Sequence, residues 1–111
     1  MKRGELYRVY RGDKQDPKNQ RVFVIVSRQT LIDAAFSSVI CAPVYTNFEG
    51  RLTQLAVGVD EGLKHESAVM CDALVSIPKT LLTNYVGKLS PRKLHFLNQC
   101  LIAALELEEV I

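Results

Sequence analysis

Few side chains in this 111-residue sequence combine the type and the spacing that catalysis needs. His65 lies between Lys64 and Glu66 in a polar stretch, and His95 follows Leu94 in an amphipathic one. Neither stands beside a hydroxyl or thiol that it could activate, so a solvated loop histidine and a surface or subunit-contact histidine are the readings they support. Cys41, Cys71 and Cys100 are odd in number, far apart and each inside an apolar run, which predicts buried free thiols rather than disulfides or a metal site. The adjacent Asp60 and Glu61 read as solvation of a turn. Asp72, flanked by Cys71 and Ala73, reads as a carboxylate held by a structural hydrogen bond. The glycines are scattered and none opens a helix in the pattern that cradles a nucleotide phosphate, so neither ATP nor NAD chemistry is expected.

One constellation remains. A polar stretch over residues 11–20 carries Arg11, Lys14, Lys18 and Gln20 and delivers Arg21 to the start of the β-branched run Val22-Phe23-Val24-Ile25-Val26. The next apolar run ends in the hydroxyl pair Tyr45-Thr46. An arginine at the lip of a buried strand, with hydroxyls at the end of its neighbour, marks a place where small barrels often bind ligands. Charge is concentrated at the same end of the chain, where by itself it reads as Lys and Arg solubilising an exposed strand and loop. The net charge of +2 is too small to announce nucleic-acid binding, yet the first 21 residues hold seven bases against three acids and the remaining ninety hold seven against nine. Any polyanion would therefore meet the N-terminal part.

The elements that must hold these groups are short. Leu6, Tyr7, Val9 and Tyr10 predict a first strand, and Val22–Val26, apolar throughout, predicts a central strand buried on both faces. A short helical turn is expected within residues 27–36, with Leu31, Ile32 and Phe36 inward. A strand over residues 39–46 follows, in which Pro43 points to an edge or a bulge. Further strands are expected over residues 53–59 and 68–77, and a helical turn over residues 79–85. Ser90-Pro91 supplies an N-cap and a first-turn proline for a terminal helix with Leu94, Leu97, Leu101, Ala104, Leu105 and Val110 on one side. Short strands with regular turn signals predict a mainly β fold of the α+β type: a small barrel of five to seven strands with a C-terminal α-helix.

Length and composition predict a single domain over residues 1–111 with a core of its own. A hydrophobic fraction of 48% and a mean hydropathy of +0.06 are high for a small monomer and suggest that apolar surface closes a homo-oligomer. No apolar stretch has signal-peptide or membrane-spanning length, so a cytoplasmic protein without membrane contact is expected.

The order of segments resembles the MazF/PemK-type toxins of bacterial toxin-antitoxin systems, over nearly the whole length. The resemblance is carried by Lys2-Arg3-Gly4-Glu5-Leu6-Tyr7, by Arg21-Val22-Phe23-Val24-Ile25-Val26-Ser27, and by Cys41-Ala42-Pro43-Val44-Tyr45-Thr46. It continues in Cys71-Asp72-Ala73-Leu74-Val75-Ser76-Ile77-Pro78-Lys79 and in Val86-Gly87-Lys88-Leu89-Ser90.

What the resemblance implies is an SH3-like barrel, a homodimer, and an endoribonuclease that cuts single-stranded RNA without metal or cofactor, leaving a 2′,3′-cyclic phosphate and a 5′-hydroxyl, until a cognate antitoxin protein covers it. The family's catalytic arginine corresponds to Arg21. Its catalytic threonine corresponds to Thr46 or, by strict alignment, to Tyr45. Arg11, Lys14, Lys18, Gln20, Tyr45 and Ser76 are the implied substrate contacts. Three departures stand out: Val22 replaces the proline that usually follows the arginine, the family's Gly-Ser-Glu-Gln loop is reduced to Gly12-Asp13-Lys14-Gln15, and Val75 replaces an arginine. The same architecture is found in CcdB-type toxins, which poison DNA gyrase by binding, and a toxin fold that binds without cleaving is a third reading.

Overall fold

The computed structural model describes residues 1–10 and 20–107. Seven antiparallel strands form one curled sheet, β1 (Glu5–Tyr10), β2 (Gln20–Ile25), β3 (Ser38–Tyr45), β4 (Gln54–Val57), β5 (Ser67–Met70), β6 (Val75–Pro78) and β7 (Asn84–Lys88). Two α-helices accompany it, α1 (Gln29–Asp33) and α2 (Pro91–Leu105). The strand order is β4-β5-β3-β2-β1-β7, with β6 added to β3. The sheet curls into a half-barrel whose end strands β4 and β7 do not pair with each other, so the expected mainly β architecture with a terminal helix is present and the closure is partial.

Strand β3 organises the sheet because its edge away from β2 is shared by two partners. Ser38 to Cys41 pair with β6, and Val44 and Tyr45 pair with β5. The run over residues 68–77, which reads as one strand in sequence, is thus two strands separated by a 3₁₀ turn at Cys71–Ala73. Its continuous apolar character hides the corner. Pro43 fits the gap between the two partners. The Ile40 carbonyl accepts from Val26, which directs the backbone groups of even-numbered β3 residues toward β2 and those of Pro43 to the opposite edge. A missing donor costs nothing there.

Alternation along the strands produces two cores. Leu6, Val24, Val26, Ala42, Val44 and Val69 face α2, which contributes Leu97 and Cys100. Tyr7, Val9, Phe23, Ile25, Val39, Cys41 and Ile77 face the other way and are covered by Ile32 of α1 and by Leu82. Val22–Val26 is therefore buried on both sides, as its composition requires, apart from the half-buried Val22. Helix α2 begins as read: the Ser90 hydroxyl accepts from the Lys93 amide and Pro91 occupies the first helical position. Leu105 is exposed, and Val110 lies outside the described residues. Phe36, expected inward, is 56% exposed because α1 ends at Asp33, before it. Strand β7 is not signalled by the mixed run Asn84-Tyr85-Val86-Gly87-Lys88, where a helical turn was expected from residue 79; only Lys79–Leu81 forms one, as a 3₁₀ turn.

The turn after β4 corrects the reading of Asp60 and Glu61. Asp60 is solvated, but Glu61 is 2% exposed, accepts from the Gly58 amide at 2.7 Å, and meets the Lys93 ammonium at 2.8 and 2.9 Å. Backbone crowding requires the two glycines beside it. A Cβ at Gly87 would lie 2.1 Å from the Glu61 carbonyl oxygen, and one at Gly62, where φ is +88°, would lie 2.3 Å from that of Val86. The turn, β7 and α2 are thus clamped together around one buried carboxylate.

Removing the ammonium leaves that carboxylate buried and unpaired. Lys93→Ala should lower the unfolding free energy by about 3 kcal/mol. Urea titration checks this, and a loss within the range of an exposed ion pair, below about 1 kcal/mol, would contradict it.

Candidate functional site

The register of β2 against β3 places Val22 opposite Val44 and Phe23 opposite Pro43, so the next pair outward is Arg21 and Tyr45. Their side chains meet on the face that carries Phe23 and Ile25. The Arg21 guanidinium carbon sits 4.1 Å from the centroid of the Tyr45 ring, and Nη1 donates to the Val44 carbonyl at 3.4 Å. Stacking of this kind contributes about 0.5–1 kcal/mol at an exposed site. Its larger effect is on geometry: the fork is held at the strand end while Arg21 remains exposed. The remaining donors face solvent.

A groove of about 540 Å³ opens beside this pair. Tyr10, Gln20, Arg21 and Tyr45 line one part of it, Ser76 and Pro78 of β6 another, and Phe23, Pro43, Val75 and Leu81 give it apolar surface. Ser76 is placed by its pairing with Ile40 of β3, and both Ser76 and Val75 are exposed. The groove therefore offers one cation, three hydroxyls, a carboxamide and an apolar wall. Such a surface suits an anionic ester attached to a flat ring.

A second groove, of about 470 Å³, lies on the other side of the same strand end. Thr46 lines it, with Val22 and Val44, because successive strand residues point to opposite faces. Arg8, Leu63, Lys64, His65 and Ser67 complete it, and Gln20 and Arg21 border both grooves. The structure thus brings Arg21, Gln20, Tyr45 and Ser76 together in the first groove and puts Thr46 with Arg21 in the second. Arg11, Lys14 and Lys18 lie outside the described residues. Arg8, Lys64 and His65 were not singled out as site residues, since nothing in their spacing links them to a strand that begins at residue 20.

The other residues weighed in sequence fall away from both grooves. Asp72 is exposed and accepts from the Thr53 hydroxyl at 2.6 Å, a structural bond across the turn that separates β5 from β6. His95 is on the outer side of α2, 3.3 Å from Gln99. The three cysteines are free and buried. Burial pushes the Cys41 and Cys71 thiols up to about 12 and raises that of Cys100, so none is poised as a thiolate. Among the described residues no three His, Cys, Asp or Glu side chains converge where a metal ion could sit. No helix among the described residues is long and apolar enough to cross a membrane.

A curled half-barrel of seven strands backed by a terminal helix has counterparts in known proteins. Residues 2–105 match the family described as PemK-like, MazF-like toxin of type II toxin-antitoxin system. The chain belongs to this family. Its structure is similar to that of the Mycobacterium tuberculosis toxin MazF-mt6, with a TM-score of 0.81 at 23% identity over 95% of this chain and 99% of that one. It is also similar to a mycobacterial endoribonuclease in complex with its cognate antitoxin, with a TM-score of 0.80 at 24% identity over 97% of each chain. A MazF from Deinococcus radiodurans, in a MazE–MazF crystal structure, superimposes with a TM-score of 0.74 at 13% identity over 97% of each chain. No curated protein matches the chain by sequence. The protein is thus a toxin of the MazF/PemK kind, with this family's fold.

Val75 gives the first groove an apolar side chain on β6, and Arg21 is the only cation among the described residues that line it. The thiol environments generate a test. A disulfide reagent such as DTNB should leave all three cysteines unmodified in the folded protein and react fully once it is unfolded in guanidinium. Stability should also fall as pH rises from 9.0, the ordinary thiol value, toward about 12, because the unfolded chain ionises its thiols there while folded Cys41 and Cys71 remain protonated. Guanidinium titrations at increasing pH check the sign; stability that rises through this window would contradict it.

Proposed function

We propose that the protein is an endoribonuclease that cuts single-stranded RNA at a phosphodiester held by Arg21. The observation that carries this reading is the exposed guanidinium of Arg21, fixed on the Tyr45 ring at the junction of two grooves. RNA contains its own nucleophile: the ribose 2′-hydroxyl attacks the adjacent phosphorus and the bond to the 5′ oxygen breaks. A 2′,3′-cyclic phosphate and a 5′-hydroxyl result. The proton lost from the 2′ oxygen is matched by the one gained at the 5′ oxygen, so no water is consumed.

The protein's part is then positioning and charge. A guanidinium has five donors and no acceptor, so Arg21 is assigned to the developing charge on the phosphoryl oxygens, which its fork can meet in bidentate fashion, and not to proton abstraction. Tyr45 and Ser76 supply hydroxyls that hydrogen-bond phosphate or ribose, Gln20 supplies an amide, and the Tyr45 ring edge and the apolar wall receive a base. Thr46 is assigned to the neighbouring phosphate on the second side. Arg11, Lys14 and Lys18, just before Gln20 and Arg21 in sequence, are assigned to attraction of the RNA backbone by their charge. The guanidinium supplies the positive charge that a metal would otherwise provide.

A homodimer and a cognate antitoxin belong to the same proposal. Exposed Ile40 and Tyr85 support an interface between two copies, and a structural neighbour in complex with its cognate antitoxin supports a protein that covers the groove. The cytoplasm, where transcripts are made, is the proposed compartment.

Two outcomes test the reading. Purified protein incubated with single-stranded RNA in EDTA should give fragments whose 5′ ends a polynucleotide kinase labels directly, and Arg21→Ala should lose about a hundredfold to a thousandfold in rate. Mg²⁺-dependent cleavage, or undiminished activity in the variant, would overturn it. Replacing the stacked ring is a second test: Tyr45→Ala, which frees the guanidinium, should lose more activity than Tyr45→Phe, which keeps it stacked. Equal losses would show that the hydroxyl, and not the ring, is what the site uses.

A further inference from the structure

The second groove has the properties of a built site rather than an incidental hollow. Among the described residues its charged side chains are Arg8, Arg21 and Lys64, with His65 beside them and no carboxylate in the lining. Among the described residues Arg8, Lys64 and His65 have no side-chain hydrogen-bond or ion-pair partner, so the Arg8 and Lys64 cations line the groove with no described counter-charge. The segment that carries them is held in place. Leu63 packs against the core shared with α2, the Ser67 hydroxyl donates to the His65 carbonyl at 3.1 Å, and the turn just before is clamped by Glu61, Lys93, Gly62 and Gly87.

From this we infer that the second groove is a backbone-phosphate subsite: single-stranded RNA passes over the end of β2, with one phosphate at Arg21 and the neighbouring phosphates against Arg8, Lys64 and His65. The inference rests on the reading that Arg21 meets an RNA phosphodiester. Continuity favours RNA over an acidic protein segment, because Arg21 and Gln20 border both grooves and a chain that enters one leaves through the other. Thr46 and buried Ser67 add hydroxyls, whereas an amphipathic peptide would need apolar anchor pockets and only Leu63, Val22 and Val44 are apolar here. Selectivity in this groove is for phosphate spacing, not for bases.

The experiment is equilibrium binding of a fluorescein-labelled, 2′-O-methylated single-stranded oligonucleotide, which cannot be cleaved, measured by anisotropy over a range of salt concentrations. Lys64→Glu should weaken binding by about tenfold, and Lys64→Ala and His65→Ala by less; Lys64→Ala should also flatten the dependence of log affinity on log salt by about 0.7–1, the contribution of one phosphate contact. Lys64 and His65 are exposed, so the variants should keep the parent's urea midpoint. Arg51→Ala removes a cation that is paired with Glu49 at 3.0 Å and lines neither groove, and it should leave affinity unchanged. Affinity and salt slope in the Lys64 variants equal to those of the parent would overturn the subsite while leaving ribonuclease activity standing. A parent that binds RNA through Lys64 but cuts none would do the reverse. Weakening by Arg51→Ala equal to that by Lys64→Ala would reduce the effect to overall charge and overturn the subsite, as would capture of an acidic peptide in preference to the oligonucleotide.

Discussion

Val22 faces Val44 and Phe23 faces Pro43 across the β2–β3 ladder, and the placement of Arg21, Tyr45 and Thr46 follows from that register. One residue outward, Arg21 and Tyr45 share a face, and a guanidinium that would otherwise sweep through solvent rests on an aromatic ring. Thr46, one residue further, is on the opposite face. A slip of one position would exchange these roles and at the same time turn Phe23, Cys41 and the other buried side chains of both strands to the wrong core. The energy that specifies the site is therefore not that of the stacking interaction. It is the burial of two apolar faces, at roughly 1.5–3 kcal/mol for each large side chain, which fixes the strands and so the groups at their ends.

Curvature is the second determinant. Strand β3 pairs with β6 along its first half and with β5 at its end, and the 3₁₀ turn at Cys71–Ala73 carries the chain from one to the other. That corner turns β6 toward the lip where Arg21 stands, so Ser76 and Val75 become one side of a groove instead of continuing a flat sheet. Cys71 anchors the corner in the core, while Asp72 is held outside it by Thr53. Pro43 lies opposite the corner, where no backbone donor is required.

The buried Glu61 carboxylate plays the corresponding part on the far side. Its two bonds to Lys93 and its bond from Gly58 fasten the segment after β4 to α2, and the absence of side chains at Gly62 and Gly87 lets the backbones approach closely enough for this. Lys64 and His65 follow directly, so their position at the second groove is a consequence of packing at some distance from it. Hydrophobic burial places β2 and β3, and a single ion pair places the loop that faces them.

Much of this molecule was legible in the sequence. The β-branched run after Arg21 could only be a central strand, Ser90-Pro91 could only begin a helix whose one-sided stripe packs on the sheet, and Cys41, Cys71 and Cys100 within apolar runs were bound to be buried. Arg21 at a strand lip, after a basic loop, was recognisable because strand ends and polar loops are local properties. What the tertiary structure alone decided is longer in range. It broke residues 68–77 into two strands, made a strand of Asn84–Lys88, and buried Glu61 against a lysine 32 residues away. Local pattern records which side chains avoid water, and it does not record which distant segments meet to exclude it.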